Sequence, residues 1–187
     1  EKSGIDLPES YSENREIKRG YEVNFATASF GQGVEMTAIQ LVRAYSAIAN
    51  SGKLVRPYLV EKILANGGII EPPTPNFGVE PVISQKAASQ LVAMLISVVE
   101  NGSARSAKIP GYYIAAKTGT AQVAFSALGI PEPGYSEKTI QTIVGFFPAF
   151  SPQFLVLVKL DNPKTRVAEY SAVPIFKDLA QYIIHQY

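Results

Sequence analysis

The 187-residue sequence contains no cysteine and a single histidine, His185, close to the C-terminus. The absence of cysteine excludes disulfides, thiolate metal sites and cysteine nucleophiles. One histidine argues against a histidine-based catalytic triad and against a multi-histidine metal site. Carboxylates at metal-binding spacing are also lacking, so we expect no metal and no cofactor.

Strong charge and long apolar runs are lacking as well. A formal net charge of +1 gives no reason to expect nucleic acid or an anionic membrane surface as a partner. No apolar run reaches the roughly twenty residues of a membrane-spanning helix, and residues 1–4 do not open a signal peptide. Because no initiator methionine opens the chain, we expect it to be cut from a longer protein. A hydrophobic share of 47% and this length predict one globular domain.

The most informative stretch is 112–122 (YYIAAKTGTAQ), an apolar run of β-formers that leads into Lys117, Thr118, Gly119 and Thr120. Side chains alternate along a strand, so Lys117 and Gly119 share one face and the two threonines share the other. A ligand could lie close to the backbone at the glycine. Such a strand edge offers an ammonium, two hydroxyls and backbone N–H groups to an anionic, carbonyl-bearing ligand. The alternative is a strand end with a solvated lysine.

Three helices are predicted from capping residues and apolar periodicity. Thr37 with Gln40 forms a capping box ahead of a helix that should be largely buried and end at 50–52. Ser84 begins a second helix that ends at 101–102. The last helix begins near Pro174. Its buried face is predicted to comprise Ile175, Phe176, Leu179, Ala180 and Ile183.

The remaining chain predicts loops and an antiparallel sheet. Residues 1–22 and 124–138 are predicted as loops, 66–68 as a hairpin turn, and 71–81 as a proline-rich surface connection. Strands over 139–147 and 153–160 should follow the 112–122 strand in a meander, with the last helix across one face. The predicted fold class is therefore α+β, with antiparallel strands packed against helices.

The stretch Lys117 to Thr120 resembles the third of the motifs S-x-x-K, S-x-N and K-T-G of penicillin-binding proteins and β-lactamases. Other segments resemble class B penicillin-binding proteins, in the same order along the chain. They are 4–8 (GIDLP), 26–33 (ATASFGQG), 37–41 (TAIQL), 109–112 (IPGY), 144–149 (VGFFPA) and 173–176 (VPIF). The resemblance covers nearly the whole chain and favours a class B transpeptidase over a β-lactamase. It implies the penicillin-binding, β-lactamase-like transpeptidase fold.

The first two motifs are missing. No serine of the chain is followed by lysine at the S-x-x-K spacing. Ser12 and Asn14 fit S-x-N by letters, but they follow the 4–8 segment, which the second motif precedes in the family, so we interpret them as a chance match. The resemblance therefore implies that residues 1–187 are the C-terminal part of one transpeptidase domain, whose S-x-x-K and S-x-N half lies upstream.

The resemblance also implies roles. In the family a serine attacks a D-Ala-D-Ala stem peptide, the acyl-enzyme passes to an amine of a neighbouring stem, and β-lactams acylate the same serine. Lys117 would supply positive charge near that serine, and the hydroxyls of Thr118 and Thr120 would bind the substrate carboxylate. The backbone N–H of Thr120 would form half of the oxyanion hole, and Gly119 would leave room for the peptide. Lys117 and Thr120 are thus the catalytic candidates, and all four residues are substrate-binding candidates.

Weaker candidates have simpler explanations. Gln32 and Gln122 could face the cleft, but a structural amide is the favoured interpretation of both. Tyr135, in the loop after the motif strand, could touch a ligand, although aromatic packing is favoured. His185 is expected to be an exposed residue at a helix end.

Two functions compete. The first is a peptidoglycan cross-linking D,D-transpeptidase of the bacterial envelope, held outside the cytoplasmic membrane by an upstream anchor. Its partners would be stem peptides, β-lactams, the missing half of the domain and other cell-wall proteins, with no nucleic acid. The chain alone should be inactive because it lacks the nucleophile. The second is a non-catalytic binding or scaffolding module that keeps the fold.

Overall fold

A computed structural model describes residues 2–65, 68–70 and 81–187. The helices are α1 (Arg15–Lys18), α2 (Glu22–Ala28), α3 (Ala38–Ala49), α4 (Gln85–Asn101) and α5 (Ala172–Gln186). The strands are β1 (Ile63–Ala65), β2 (Gly68–Ile70), β3 (Ala115–Ala124), β4 (Tyr135–Phe147) and β5 (Phe154–Asp161). Short 3-10 helices span Arg105–Ala107, Phe125–Leu128 and Ala168–Tyr170.

The predicted meander is confirmed. Strands β3, β4 and β5 form an antiparallel sheet in chain order, so in the described part of the chain β3 has a strand neighbour on one side only. Its register places Lys117 opposite Val144 and Thr120 opposite Gln141. The β1–β2 pair is also antiparallel, as a hairpin requires. The turn residues 66–67 and the connection 71–80 lie outside the described residues.

Helices cover both faces of this sheet. On one face, Ala116 and Ile143 are fully buried in a core that includes Phe176 of α5. On the other face, Ala115 and Phe146 are fully buried beside residues of α3 and α4. The α+β class predicted from the sequence is therefore confirmed.

Gly145 allows α5 to approach the sheet closely. A Cβ atom built on Gly145 would lie 2.6 Å from Ala116 Cβ and 3.0 Å from Phe176 Cζ. Real Cβ atoms essentially never come within 3.0 Å of another atom, so a side chain here would force β3 away and would crowd the Phe176 ring. The glycine thus allows close packing between β4, the motif strand and α5.

The predicted starts of α3 and α4 are confirmed. Thr37 and Gln40 form the complete capping box, and the Ser84 side chain accepts a hydrogen bond from Ala87 N. The prediction that α3 is largely buried is wrong, because Ala47 is its one buried residue among those described. The helix contacts α4, β4 and β5, and the N-terminal segment binds it through hydrogen bonds from Arg43 to Lys2 O and between Gln40 and Ser12, so most of its residues are half-buried.

Three further expectations need correction. The predicted loop 1–22 contains α1 and the start of α2. Strand β4 begins at Tyr135, because the chain re-pairs with Ala124 after a short 3-10 helix, so the loop is shorter than predicted. On α5, Ile175 and Leu179 are 42% and 43% exposed. The fully buried residues are Ala172, Val173, Phe176 and Ala180, and Ile183 and Ile184 pack half-buried against the same core, so the stripe is turned relative to the predicted one.

Candidate active site

Lys117 lies on β3, directly after two fully buried alanines, and its side chain is exposed. Its Nζ donates a hydrogen bond to the backbone carbonyl oxygen of Thr118 at 2.8 Å. Among the described residues it forms no ion pair, so its charge is available to an anionic ligand. Lys117 shares its sheet face with Ala115 and Gly119, the face that α3 and α4 partly cover.

Packing within the sheet also requires a glycine at position 119. Gly119 pairs with Thr142 of β4, and a Cβ on Gly119 would lie 2.6 Å from Thr142 Oγ1. The sequence-based interpretation assigned the missing side chain to ligand access. The structure adds a cross-strand neighbour that requires the same space.

The two threonines of the motif lie on the opposite face from Lys117, as the strand alternation predicts. Thr118 Oγ1 and Ser103 Oγ are 3.0 Å apart, within hydrogen-bonding distance. Ser103 follows Gly102, the C-cap of α4, and this contact ties the end of that helix to the motif strand. The residues 101–103 predict a helix end, and no local signal indicates the contact with β3.

Thr120 is exposed and its hydroxyl oxygen accepts a hydrogen bond from the backbone N–H of Ala168 at 3.2 Å. Ala168 begins the 3-10 helix that precedes α5, 48 residues away in sequence. Within the described residues the Thr120 hydroxyl donates no hydrogen bond, so its proton is free for a ligand. Nothing in the local sequence indicated the Ala168 contact.

The four motif residues lie consecutively on β3, and the weaker candidates are found on β3, on β4, after α2 and near the end of α5. Gln122 donates to the carbonyl oxygen of Ser136 at 3.5 Å, which fits a structural amide. Tyr135 is 48% exposed at the start of β4. Gln32 is half-buried after α2, and His185 is exposed near the end of α5.

The described residues offer little else for cofactor chemistry. In the segments 2–65, 68–70 and 81–187, no group of three or more His, Cys, Asp or Glu side chains is arranged to hold a metal ion. None of the helices in the same segments is both long enough and apolar enough to cross a membrane. The motif strand itself presents an ammonium, hydroxyls and backbone N–H groups.

Known proteins of similar sequence identify the family to which the motif strand belongs. A sequence profile described as penicillin binding protein transpeptidase domain matches residues 1–181. Stage V sporulation protein D of Bacillus subtilis (strain 168) is 36% identical over 168 residues, which cover 88% of this chain and 25% of that protein. Penicillin-binding protein PbpB of Mycobacterium tuberculosis is 30% identical over 198 residues, covering 100% of this chain and 28% of that protein.

Solved structures agree with the sequence relatives. The crystal structure of penicillin binding protein 3 from Mycobacterium tuberculosis in complex with aztreonam matches with a TM-score of 0.84 and 30% identity. The match covers 98% of this chain and 43% of the solved chain. This chain thus spans about a quarter of the length of stage V sporulation protein D and of PbpB, and under half of the chain in the aztreonam complex. The profile match over residues 1–181 shows that the chain belongs to the penicillin-binding protein transpeptidase domain family.

Proposed function

We propose that this chain is the substrate-binding part of a peptidoglycan D,D-transpeptidase domain that β-lactams acylate. The observation that carries the proposal is an exposed lysine beside Gly119 and two threonines, on a strand whose outer edge has no strand partner in the described chain. Curated relatives named peptidoglycan D,D-transpeptidases and solved complexes with aztreonam and ampicillin support it. Other cell-wall synthesis proteins are proposed as partners of the full protein.

Lys117 is proposed to act as a catalytic residue through its charge. The nucleophile would be a serine of an S-x-x-K motif upstream of residue 1, because no such motif occurs in this sequence. When that serine attacks the D-Ala-D-Ala carbonyl, the exposed ammonium of Lys117 stabilises the negative charge that develops. The same positive field favours binding of the ligand's terminal carboxylate.

Thr118, Gly119 and Thr120 are proposed to bind the substrate along the free edge of β3. An extended peptide can pair with backbone groups of an edge strand, as in β-strand addition. The Thr120 hydroxyl, whose proton is free, donates to the carboxylate, and its backbone N–H contributes to the oxyanion hole. Thr118 donates to the carboxylate after exchanging its contact with Ser103.

Residues 1–187 are proposed to be the C-terminal part of a single transpeptidase domain. The upstream half would supply the serine, and the full protein would act in the bacterial envelope, outside the cytoplasmic membrane and anchored upstream. The chain alone is proposed to be inactive, because carboxylate recognition and an oxyanion donor cannot form an acyl-enzyme without a nucleophile. If the upstream sequence lacks S-x-x-K, the non-catalytic binding module becomes the favoured function.

Covalent labelling with a fluorescent penicillin tests the proposal. The full-length protein should give a labelled band that survives denaturation, and the 187-residue chain should not. Lys117→Ala in the full-length protein should reduce the labelling rate by about tenfold or more, the effect of losing one charged stabilising group. Lys86→Ala, which removes an exposed lysine from the first turn of α4, is the matched control and should label normally. A full-length protein that resists labelling would support the binding module instead.

A further inference from the structure

Gln141, in the middle of β4, is a fully buried amide with every hydrogen-bonding position occupied. Its Nε2 donates to Thr139 Oγ1 at 3.0 Å and to the carbonyl oxygen of Thr165 at 2.6 Å. Its Oε1 accepts from the hydroxyls of Thr165 and Ser171. A side-chain amide carries two N–H donors and two acceptor lone pairs, so Gln141 is completely satisfied. Buried polar groups with all partners present hold their surroundings in one arrangement.

The partners of Gln141 hold one particular segment. Thr165 lies before the 3-10 helix Ala168–Tyr170 and Ser171 lies after it, so Gln141 binds both ends of the segment 165–171. Ala168, inside this segment, donates its backbone N–H to the Thr120 hydroxyl oxygen. Gln141 is also the cross-strand partner of Thr120. Gln141 thus binds both ends of the segment whose Ala168 N–H meets the Thr120 hydroxyl.

We propose that Gln141 is a positioning residue for carboxylate recognition, acting through the segment 165–171 on the Thr120 hydroxyl. This inference rests on the proposed function, in which Thr120 donates to the ligand's carboxylate. A hydroxyl that accepts from a backbone N–H turns its own proton away from that donor. Because the Thr120 hydroxyl donates to no described residue and its side chain is exposed, the proton is directed to a ligand.

If Gln141 acts in this way, its loss should weaken binding of the ligand's carboxylate and no other part of the ligand. A hydrogen bond to a carboxylate is charge-assisted and stronger than one to a neutral ester. If Gln141 moves out of place, segment 165–171 shifts, the Thr120 hydroxyl can rotate, and the ligand loses that hydrogen bond. A protein that is merely less stable would lose activity equally toward charged and neutral ligands.

The test compares acylation of the full-length protein by benzylpenicillin and by its neutral methyl ester. The ratio of the two second-order rate constants measures carboxylate recognition. Thr120→Val should lower the ratio by about tenfold, the lower end of what a hydrogen bond to a charged group contributes. Gln141→Met, which keeps the side-chain length but removes the amide, should lower it by a similar factor. The double variant should lower it no further, because both changes remove the same interaction.

Val158→Ala is the matched control for core damage. Val158 is buried on β5 in the same core and forms no side-chain hydrogen bond, so this variant should lose stability and keep the ratio. If Gln141→Met does not fold, Ser171→Ala removes one donor to Gln141 from a half-buried position and should lower the ratio by a smaller factor.

The outcomes separate the inference from the proposed function. A ratio that falls in Thr120→Val but stays unchanged in Gln141→Met, or in Ser171→Ala, overturns the role of Gln141 and leaves the function standing. An unchanged ratio in Thr120→Val shows that the Thr120 hydroxyl does not recognise the carboxylate, and it overturns the role of Gln141 as well. Wild-type protein that neither compound acylates overturns the proposed function, and the positioning role with it.

Discussion

The carboxylate of Asp6 accepts a hydrogen bond from the backbone N–H of Val60 at 2.8 Å, across 54 residues of chain. A second bond of the same length comes from the N–H of Leu59. These bonds hold the N-terminal segment against the chain that follows α3. The N–H donors of Val60 and Leu59, helped by the charge of Arg56, hold the pKa of Asp6 below its ordinary value of 3.8.

A lowered pKa gives this attachment a defined pH dependence. Its stabilising effect is complete above the ordinary Asp pKa of 3.8 and is lost as pH falls through the lower pKa of the folded state. The carboxyl carbon of Asp6, followed by NMR, should therefore titrate below that ordinary value. At neutral pH, Asp6→Ala should raise the hydrogen-exchange rate of the Val60 amide, whereas Asp178→Ala, on the exposed side of α5, should not. An Asp6 titration at or above the ordinary value would contradict the prediction.

Tyr45 of α3 provides a prediction at the other end of the pH scale. It packs against the core cluster that contains Leu95 and Phe146, and burial raises its pKa above the ordinary value of 10.0. The neutral phenol is the form that the fold favours, so this contribution is complete below pH 10.0 and is lost as pH rises through the folded-state pKa. NMR titration of the Tyr45 ring carbon that bears the hydroxyl should show the raised value. Tyr45→Phe should remove this part of the alkaline loss of stability.

Gly52 should tolerate no side chain. It follows α3 with φ +97°, and a Cβ there would lie 2.1 Å from the carbonyl oxygen of Ile83, just ahead of α4. Gly52→Ala should therefore lower the free energy of unfolding by about 3 kcal/mol or more, because backbone strain and a backbone clash add. Denaturant unfolding measures the change.

Comparison with Gly20→Ala separates the cost of backbone strain at positive φ from the cost of a steric clash. Gly20 has a similar φ of +76°, but nothing lies within 4 Å of its would-be Cβ. Gly20→Ala should therefore lower the free energy of unfolding by only about 1 kcal/mol, because backbone strain is the single cost. Equal losses in the two variants would mean that the contact with Ile83 is unimportant.

Local signals in the sequence were sufficient for the starts of α3 and α4 and for the order of the strands β3, β4 and β5. Thr37 and Ser84 bind backbone groups three residues away, so the information lies within one turn. Alternation along β3 likewise follows from the backbone geometry of any strand. The exposed positions of Ile175 and Leu179 could not be predicted, because the side of α5 that is buried depends on how the helix lies on the sheet beneath it.

The candidate site likewise contains residues that the sequence identifies and residues that only the structure reveals. The stretch Lys117 to Thr120 was identified from sequence because its residues are consecutive. Ser103, Gln141 and Ala168 were not, because their contacts with the motif depend on where the end of α4 meets β3, on the β3–β4 register and on where the chain returns after β5. A single sequence does not encode that register in any local pattern, so the network around Thr120 emerged only from the fold.

Gly119 carries the last prediction, because two different requirements explain its missing side chain. The proposed function needs room for a ligand, and the fold needs room for Thr142 Oγ1, 2.6 Å from the would-be Cβ. Gly119→Ala should lower the free energy of unfolding by roughly 1–3 kcal/mol, the usual cost of overpacking. Thr142→Ala removes the clashing hydroxyl, so the double variant should recover most of that stability.

Penicillin labelling of the same variants in the full-length protein then separates the two requirements. If ligand room also demands glycine, the double variant regains stability but still labels more slowly than Thr142→Ala alone, by about tenfold or more, since a misplaced ligand lowers the rate steeply. If labelling recovers together with stability, the glycine serves the sheet alone and the ligand does not approach the backbone at Gly119. A double variant that stays as unstable as Gly119→Ala would show that a contact other than Thr142 Oγ1 sets the limit.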